Sequence, residues 1–172
     1  ARQSMLRSGK FGADMEKLLP VIDEDGSDSA MLDDYVALLH HAGRPLHEAM
    51  MMAIPEPREH DDSKGSEAKR AFYEYHSCLQ EPWDGPAAVA FTDGRLAGAT
   101  LDRNGLRPAR WCVTRSGLLV LASEAGVLPF DESEVVKKDR LHPGRMLLID
   151  TEAGRIIEDD ELKAAAAAAR PY

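Results

Sequence analysis

Apolar residues recur at helical spacing through the first two-fifths of the chain, and afterwards fall into short runs bounded by glycine. Over 31–41, Leu32, Tyr35, Val36 and Leu39 share one helical face, the preceding Ser-Asp-Ser supplies N-cap candidates, and Gly43 supplies a stop. A shorter helix is expected over 46–54, halted by Pro55 and Pro57. The stretch REHDDSKGS, at 58–66, has no large apolar residue and reads as a solvated loop. A third helix over 67–79 is expected to bury Phe72, Tyr75, Cys78 and Leu79 on one face, with Glu67 favouring the start of its macrodipole and Pro82 closing it.

Beyond WDGP the period changes. AAVAFT and RLAGATLD flank Asp93-Gly94, and RWCVTR and LLVLAS flank Ser116-Gly117, so both pairs predict antiparallel hairpins. Further strands are expected over 145–150 and 155–158, with Gly154 in the turn between them. The alanine tract 164–169 predicts a C-terminal helix or linker. The pattern is that of an α+β chain with a mainly helical portion over 1–80, an antiparallel β portion over 86–158 and a tail over 159–172. At 172 residues there is room for one domain with a sizeable core.

Composition narrows the partners. With 44% hydrophobic and 30% charged residues the chain is expected to fold. Its 21 Lys and Arg against 30 Asp and Glu give a net charge of -9, which repels polyanions and argues against nucleic acid as a partner. No apolar run is long enough for a bilayer helix, and residues 1–10 lack the apolar centre of a secretory signal, so a soluble cytoplasmic protein is expected with no membrane partner.

Cys78 and Cys112 lie far apart without CxxC spacing and read as packing residues. No metal site is expected, since His40 and His41 are adjacent and His47, His60, His76 and His142 are scattered. Met50, Met51 and Met52 are consecutive on a helix, so one or two of them should be core. His76 and Cys78 do not form a dyad, because helical residues two apart do not face one another.

The segment EPWDGPAAVAFTDGRLAGATLDRNGLRPARWCVTRSGLLVLASEAGVL resembles the end of the class II glutamine amidotransferase domain of the glutamate synthase family. KLLPVID, GSDSA, AGRPLHEAMMMAIPEP and AFYEYHSCLQEPWDGP upstream, and VVKKDRLHPGRMLLIDTEAGRII downstream, extend the resemblance from Leu18 to Glu161. It implies part of a four-layer α/β/β/α N-terminal-nucleophile hydrolase sandwich, making residues 1–172 a single partial domain. The family's nucleophile is an N-terminal cysteine whose own amine serves as base. This sequence begins with Ala1, and Cys78 and Cys112 carry amide nitrogens, so no catalytic residue is expected and the segment is expected to be inactive alone. The family's oxyanion hole uses an Asn-Gly pair in an HNGEIN-like motif. The flanks of Asn104-Gly105 match a different, RDPxGIRP-like turn, and the oxyanion role does not transfer to Asn104.

Asp28, in GSDSA, matches the family aspartate that holds the α-amino group of substrate glutamine. A carboxylate at a helix start is steadied by free N–H groups and pairs well with an ammonium. The same position also describes a solvated aspartate or N-cap. Gly26 and Ser27 read as shaping the loop, and Asp102, Gly105 and Pro108 as turn architecture, while Glu124 at a strand end stays unassigned.

The resemblance implies hydrolysis of glutamine to glutamate, with ammonia passed to a second site that makes glutamate from 2-oxoglutarate. That is a role in glutamate biosynthesis and nitrogen assimilation. FMN, an iron–sulfur cluster and NADPH or ferredoxin would serve other domains or a small subunit. The partners implied for this segment are glutamine and the remainder of the large subunit. A non-catalytic scaffold or regulatory module with a degenerate amidotransferase fold is the alternative, distinguished by the reading frame upstream of Ala1. A purine- or glucosamine-pathway amidotransferase would lack the EPWDGPA and EYHSC wording found here.

Overall fold

In the computed structural model, residues 6–57 and 66–172 are described. The expected solvated loop thus lies, but for Ser66, outside the described residues, as does Ala1. The chain divides into two compact units, one comprising 1–83 with 160–172 and the other 84–159.

In the first unit, a kinked 3-10 stretch, Gly9–Leu18, buries Met15. Helix α1 (Asp28–His41) starts one turn earlier than its apolar stripe, because Ser27 caps it by accepting a hydrogen bond from the Ala30 amide at 3.2 Å. It ends as its sequence predicts. Gly43 takes a φ of +91°, and the Arg44 and Gly43 amides donate to the Leu39 and His40 carbonyls at 3.0 and 2.9 Å.

Helix α2 (Leu46–Ala53) differs from expectation, since Met50, Met51 and Met52 are 1%, 1% and 6% exposed and all three belong to the core. The reason is that α2 is enclosed on every side, which a run of consecutive apolar residues suits and an amphipathic stripe does not. Ala53 and Met52 carbonyls also accept from the Trp83 amide at 2.8 Å and from Gln80 Nε2 at 2.5 Å.

Helix α3 (Ser66–Leu79) corrects the sequence reading more sharply. Phe72 and His76 are buried, whereas Tyr75 and Leu79 are 48% and 46% exposed and Cys78 is exposed rather than a packing residue. Phe72 and His76 are four apart and lie one above the other on the helix. The polar imidazole takes the inward place because its Nδ1 reaches the Phe72 carbonyl, 2.8 Å away. The tail resolves as helix α4 (Asp159–Ala168), burying Leu162, Ala166 and Ala167.

The second unit holds β1 (Ala88–Thr92), β2 (Leu96–Leu101), β3 (Arg110–Thr114), β4 (Leu119–Ala122), β5 (Val135–Arg140), β6 (Met146–Asp150) and β7 (Arg155–Ile157). They form one sheet in the order β1-β2-β6-β7 and another in the order β4-β3-β5, with every pairing antiparallel. The β1–β2 turn is built by Asp93, whose Oδ1 accepts from the Arg95 and Leu96 amides at 3.0 and 2.7 Å, beside Gly94 at φ +93°. Ala99, Leu101 and Leu147 of the first sheet join Trp111 of the second, with Ala109 and Leu141, in one buried cluster.

Strand β5 was not among the strands expected. Its residues VVKKDR have no apolar alternation, and only Val135 is partly buried. It forms all the same because it is an edge strand, where charged side chains discourage further pairing and backbone bonds to β3 supply the support. Lys137 Nζ also sits 5.2 Å from the centre of the Trp111 ring.

Candidate functional site

Asp28 is the first residue of α1 and is exposed. The loop before it is tied to itself and to the helix. The Gly26 amide donates to the Asp23 carbonyl at 3.0 Å, the Asp25 amide to Asp23 Oδ1 at 3.2 Å, and the Asp23 amide to Asp34 Oδ2 at 3.0 Å. A Cβ at position 26 would lie 3.0 Å from the Asp23 carbonyl oxygen, so the turn is tight enough to favour glycine. Ser27 Oγ, besides capping Ala30, lies 3.0 Å from Ser29 Oγ. Gly26 and Ser27 therefore do shape the loop.

The carboxylate of Asp28 uses Oδ1 to accept from the Ser29 amide at 2.8 Å, while Oδ2 takes no hydrogen bond from the described residues. One oxygen is thus fixed and the other open, at the end of a helix whose dipole favours negative charge. Chemically, such a group can take an ammonium.

Asp102 is the other prominent acid, and its role is architectural. It is buried, and its two oxygens accept from the Ala87 amide at 3.0 Å and the Asn104 amide at 2.9 Å. Its carbonyl accepts from the Gly105 and Gly144 amides, so the DRNGLRP turn is fastened to both flanking segments. Gly105 has a φ of +58° and a Cβ there would lie 2.5 Å from Pro143 Cγ, which leaves that position to glycine. Asn104 is exposed on the same turn.

Glu124 lines a cavity of about 460 Å³ on the face of the second sheet that carries Cys112, together with Arg110, Val120, Leu128 and Lys138. Cys112, Val120 and Lys138 are register partners on β3, β4 and β5, which places them on one face. His76 is buried and Cys78 exposed, so these two do not meet. Among the described residues no group of three or more His, Cys, Asp or Glu side chains could hold a metal ion, and no helix is long and apolar enough to cross a membrane.

The pattern along the chain did not disclose a buried polar cluster in the first unit. Arg44 Nη1 pairs with Glu48 Oε1, and Tyr172 Oη lies 3.2 Å from each of those atoms. Burial opposes the Arg44 charge, but the hydrogen bonds it donates to Tyr172 and Glu48 outweigh it and raise the guanidinium above its ordinary range. Burial likewise pushes the Tyr35 hydroxyl up, against the opposing charge of Arg44. The four-residue spacing of Arg44 and Glu48 was a legible signal, whereas Tyr172 joins them from across the chain.

Comparison with known proteins agrees with the fold. The chain is 52% identical over 173 aligned positions to the glutamate synthase [NADPH] large chain of Bacillus subtilis, which covers all of this chain and 11% of that protein. It is 48% identical to the glutamate synthase [NADH] of Schizosaccharomyces pombe, over 95% of this chain and 8% of that protein, and 42% identical to the ferredoxin-dependent glutamate synthase of Pyropia yezoensis, over all of this chain and 11% of that protein. The chain therefore spans about a tenth of the length of these relatives. The family model for class-II glutamine amidotransferases matches residues 1–172, and with helices, antiparallel sheets and relatives all in accord, the chain belongs to that family.

Proposed function

We propose that this chain is part of the glutamine-hydrolysing, ammonia-producing region of a glutamate synthase, to which it contributes scaffold and the group that binds the substrate's ammonium. The observation that carries the reading is the 52% identity to a glutamate synthase large chain across the whole of this chain. Asp28 is the binding group: its open Oδ2 can accept from an α-ammonium while Oδ1 stays anchored to the Ser29 amide. The two sheets that share the Leu101–Trp111 cluster are the inner layers of a four-layer sandwich.

The nucleophile lies outside residues 1–172, because Cys78 and Cys112 sit within α3 and β3 with their nitrogens in amide bonds. The ammonia released would feed glutamate synthesis at another site of the longer polypeptide, in the cytoplasm. The residues present do not fit an iron–sulfur cluster, since this chain has only two cysteines, placed in different units. That cluster, FMN and the reductant, which the relatives' names give as NADPH, NADH or ferredoxin, belong to other regions or to a small subunit.

The test is Asp28→Asn in the longer polypeptide. Loss of the charge partner should weaken glutamine use on the order of 30- to 150-fold, from the roughly 2–3 kcal/mol of a charge-assisted hydrogen bond. Ammonia-dependent glutamate synthesis should persist. Unchanged KM and turnover for glutamine would reduce Asp28 to a helix-start aspartate.

A further inference from the structure

His76 is 2% exposed, and its surroundings constrain its charge. Nδ1 lies 2.8 Å from the Phe72 carbonyl, which can only accept, so Nδ1 carries the proton. In the neutral ring Nε2 is then a bare lone pair, and it is buried with no hydrogen-bond partner among the described residues. The walls are aromatic: the rings of Phe72, Tyr172 and Tyr75 stand 4.2, 5.1 and 5.2 Å from the imidazole.

The charged and titratable groups around it come from each packed element. Arg44 and Glu48 belong to the start of α2 and the loop before it, Tyr75 to α3, and Arg170 and Tyr172 to the segment after α4. Arg44 and Arg170 oppose an imidazolium. Glu48 would favour one, but it is already paired with Arg44 and hydrogen-bonded to Tyr172. Burial above all, with the two arginines, lowers the affinity of His76 for a second proton.

We propose that His76 is an acid-sensitive seal: in its neutral form it holds the segment carrying Tyr172 against α2 and α3, and when protonated it releases that segment. A proton on Nε2 would create a buried donor with no acceptor, and the shortest way to hydrate it is to lift the Tyr172 ring. Tyr172 also bridges Arg44 and Glu48, so its departure opens that ion pair to water as well.

The sign follows from linkage. A released His76 takes up a proton near its ordinary pKa of about 6.5, while the sealed one resists, so acid favours release and the docked form regains its advantage as pH rises through that value. Over the window between the two affinities, each pH unit changes the docking equilibrium by up to about tenfold.

NMR of the full chain between pH 7.5 and 5 tests this. The Tyr172 ring protons, shifted by the Phe72 and His76 rings while docked, should move to free-tyrosine positions with the same midpoint as the His76 titration, below 6.5. In His76→Gln, which cannot titrate, they should stay put across the range. Protonation of His76 with Tyr172 still docked would overturn the proposal, as would an unchanged pH step in His76→Gln. If that variant does not fold, coincidence or separation of the two wild-type midpoints decides the matter.

Discussion

Lys163 Nζ on α4 lies 2.5 Å from Glu56 Oε2, with only 3% and 14% of the two side chains exposed, and Lys69 Nζ takes the other oxygen of Glu56 at 2.7 Å. The carboxylate is shared between two cations, so the partners are not equivalent. Glu56→Ala should destabilise the helical unit by about 3–5 kcal/mol, because it removes one carboxylate from two ammonium groups, of which that of Lys163 is buried. Lys163→Met should cost much less, since Glu56 keeps Lys69 and the methionine fills the space. Urea unfolding of the two variants checks the asymmetry; equal losses would contradict it.

Gly98 on β2 faces Phe91 on β1, and a Cβ there would lie 2.5 Å from the Phe91 ring and 2.9 Å from the Leu147 carbonyl oxygen. The ring can swing away but the backbone carbonyl cannot. Gly98→Ala should therefore cost about 1–3 kcal/mol. Adding Phe91→Ala should recover only part of this, which a double-mutant cycle would show as a favourable coupling. Full recovery would locate the clash in the ring alone.

Asp150 ends β6 with Oδ2 2.8 Å from Arg95 Nη2 and Oδ1 accepting from the Ala153 and Glu152 amides at 2.9 and 3.1 Å. The Arg95 hydrogen bond foremost, then the Ala153 amide, holds its pKa below the ordinary carboxylate value. Because the folded value is the lower one, its stabilisation is present above about pH 4 and is lost as pH falls through the depressed value. Asp150→Asn should flatten the acid limb of the stability–pH curve and leave neutral-pH folding intact. An unaltered acid limb would show that other carboxylates carry it.

The 172-residue polypeptide by itself should release no ammonia from glutamine above a buffer blank. Neither cysteine has a free α-amine to activate it, so Cys78→Ser and Cys112→Ser should not alter that result. Thiol labelling should be faster at exposed Cys78 than at partly buried Cys112. Glutamine turnover that disappears with either substitution would refute the assignment of the nucleophile to residues outside this stretch.

By itself the sequence determined whatever rests on neighbours along the chain. Ser27 and Gly43 bound α1, Asp93-Gly94 and Ser116-Gly117 set the hairpins, and the resemblance of GSDSA to a family loop singled out Asp28, because caps, turns and motifs act over a few residues. Only the tertiary structure decided which face of α3 turns inward. Apolar spacing favoured Tyr75, Cys78 and Leu79, yet His76 took the buried place, where Phe72 satisfies one ring nitrogen and Tyr172 covers the ring from 96 positions on. Strand β5 was equally hidden: its charged residues form a strand because β3 offers a free edge, and no local pattern encodes the presence of that edge. Burial of all three methionines on α2 has the same origin, since a helix is enclosed by what packs around it rather than by its own periodicity.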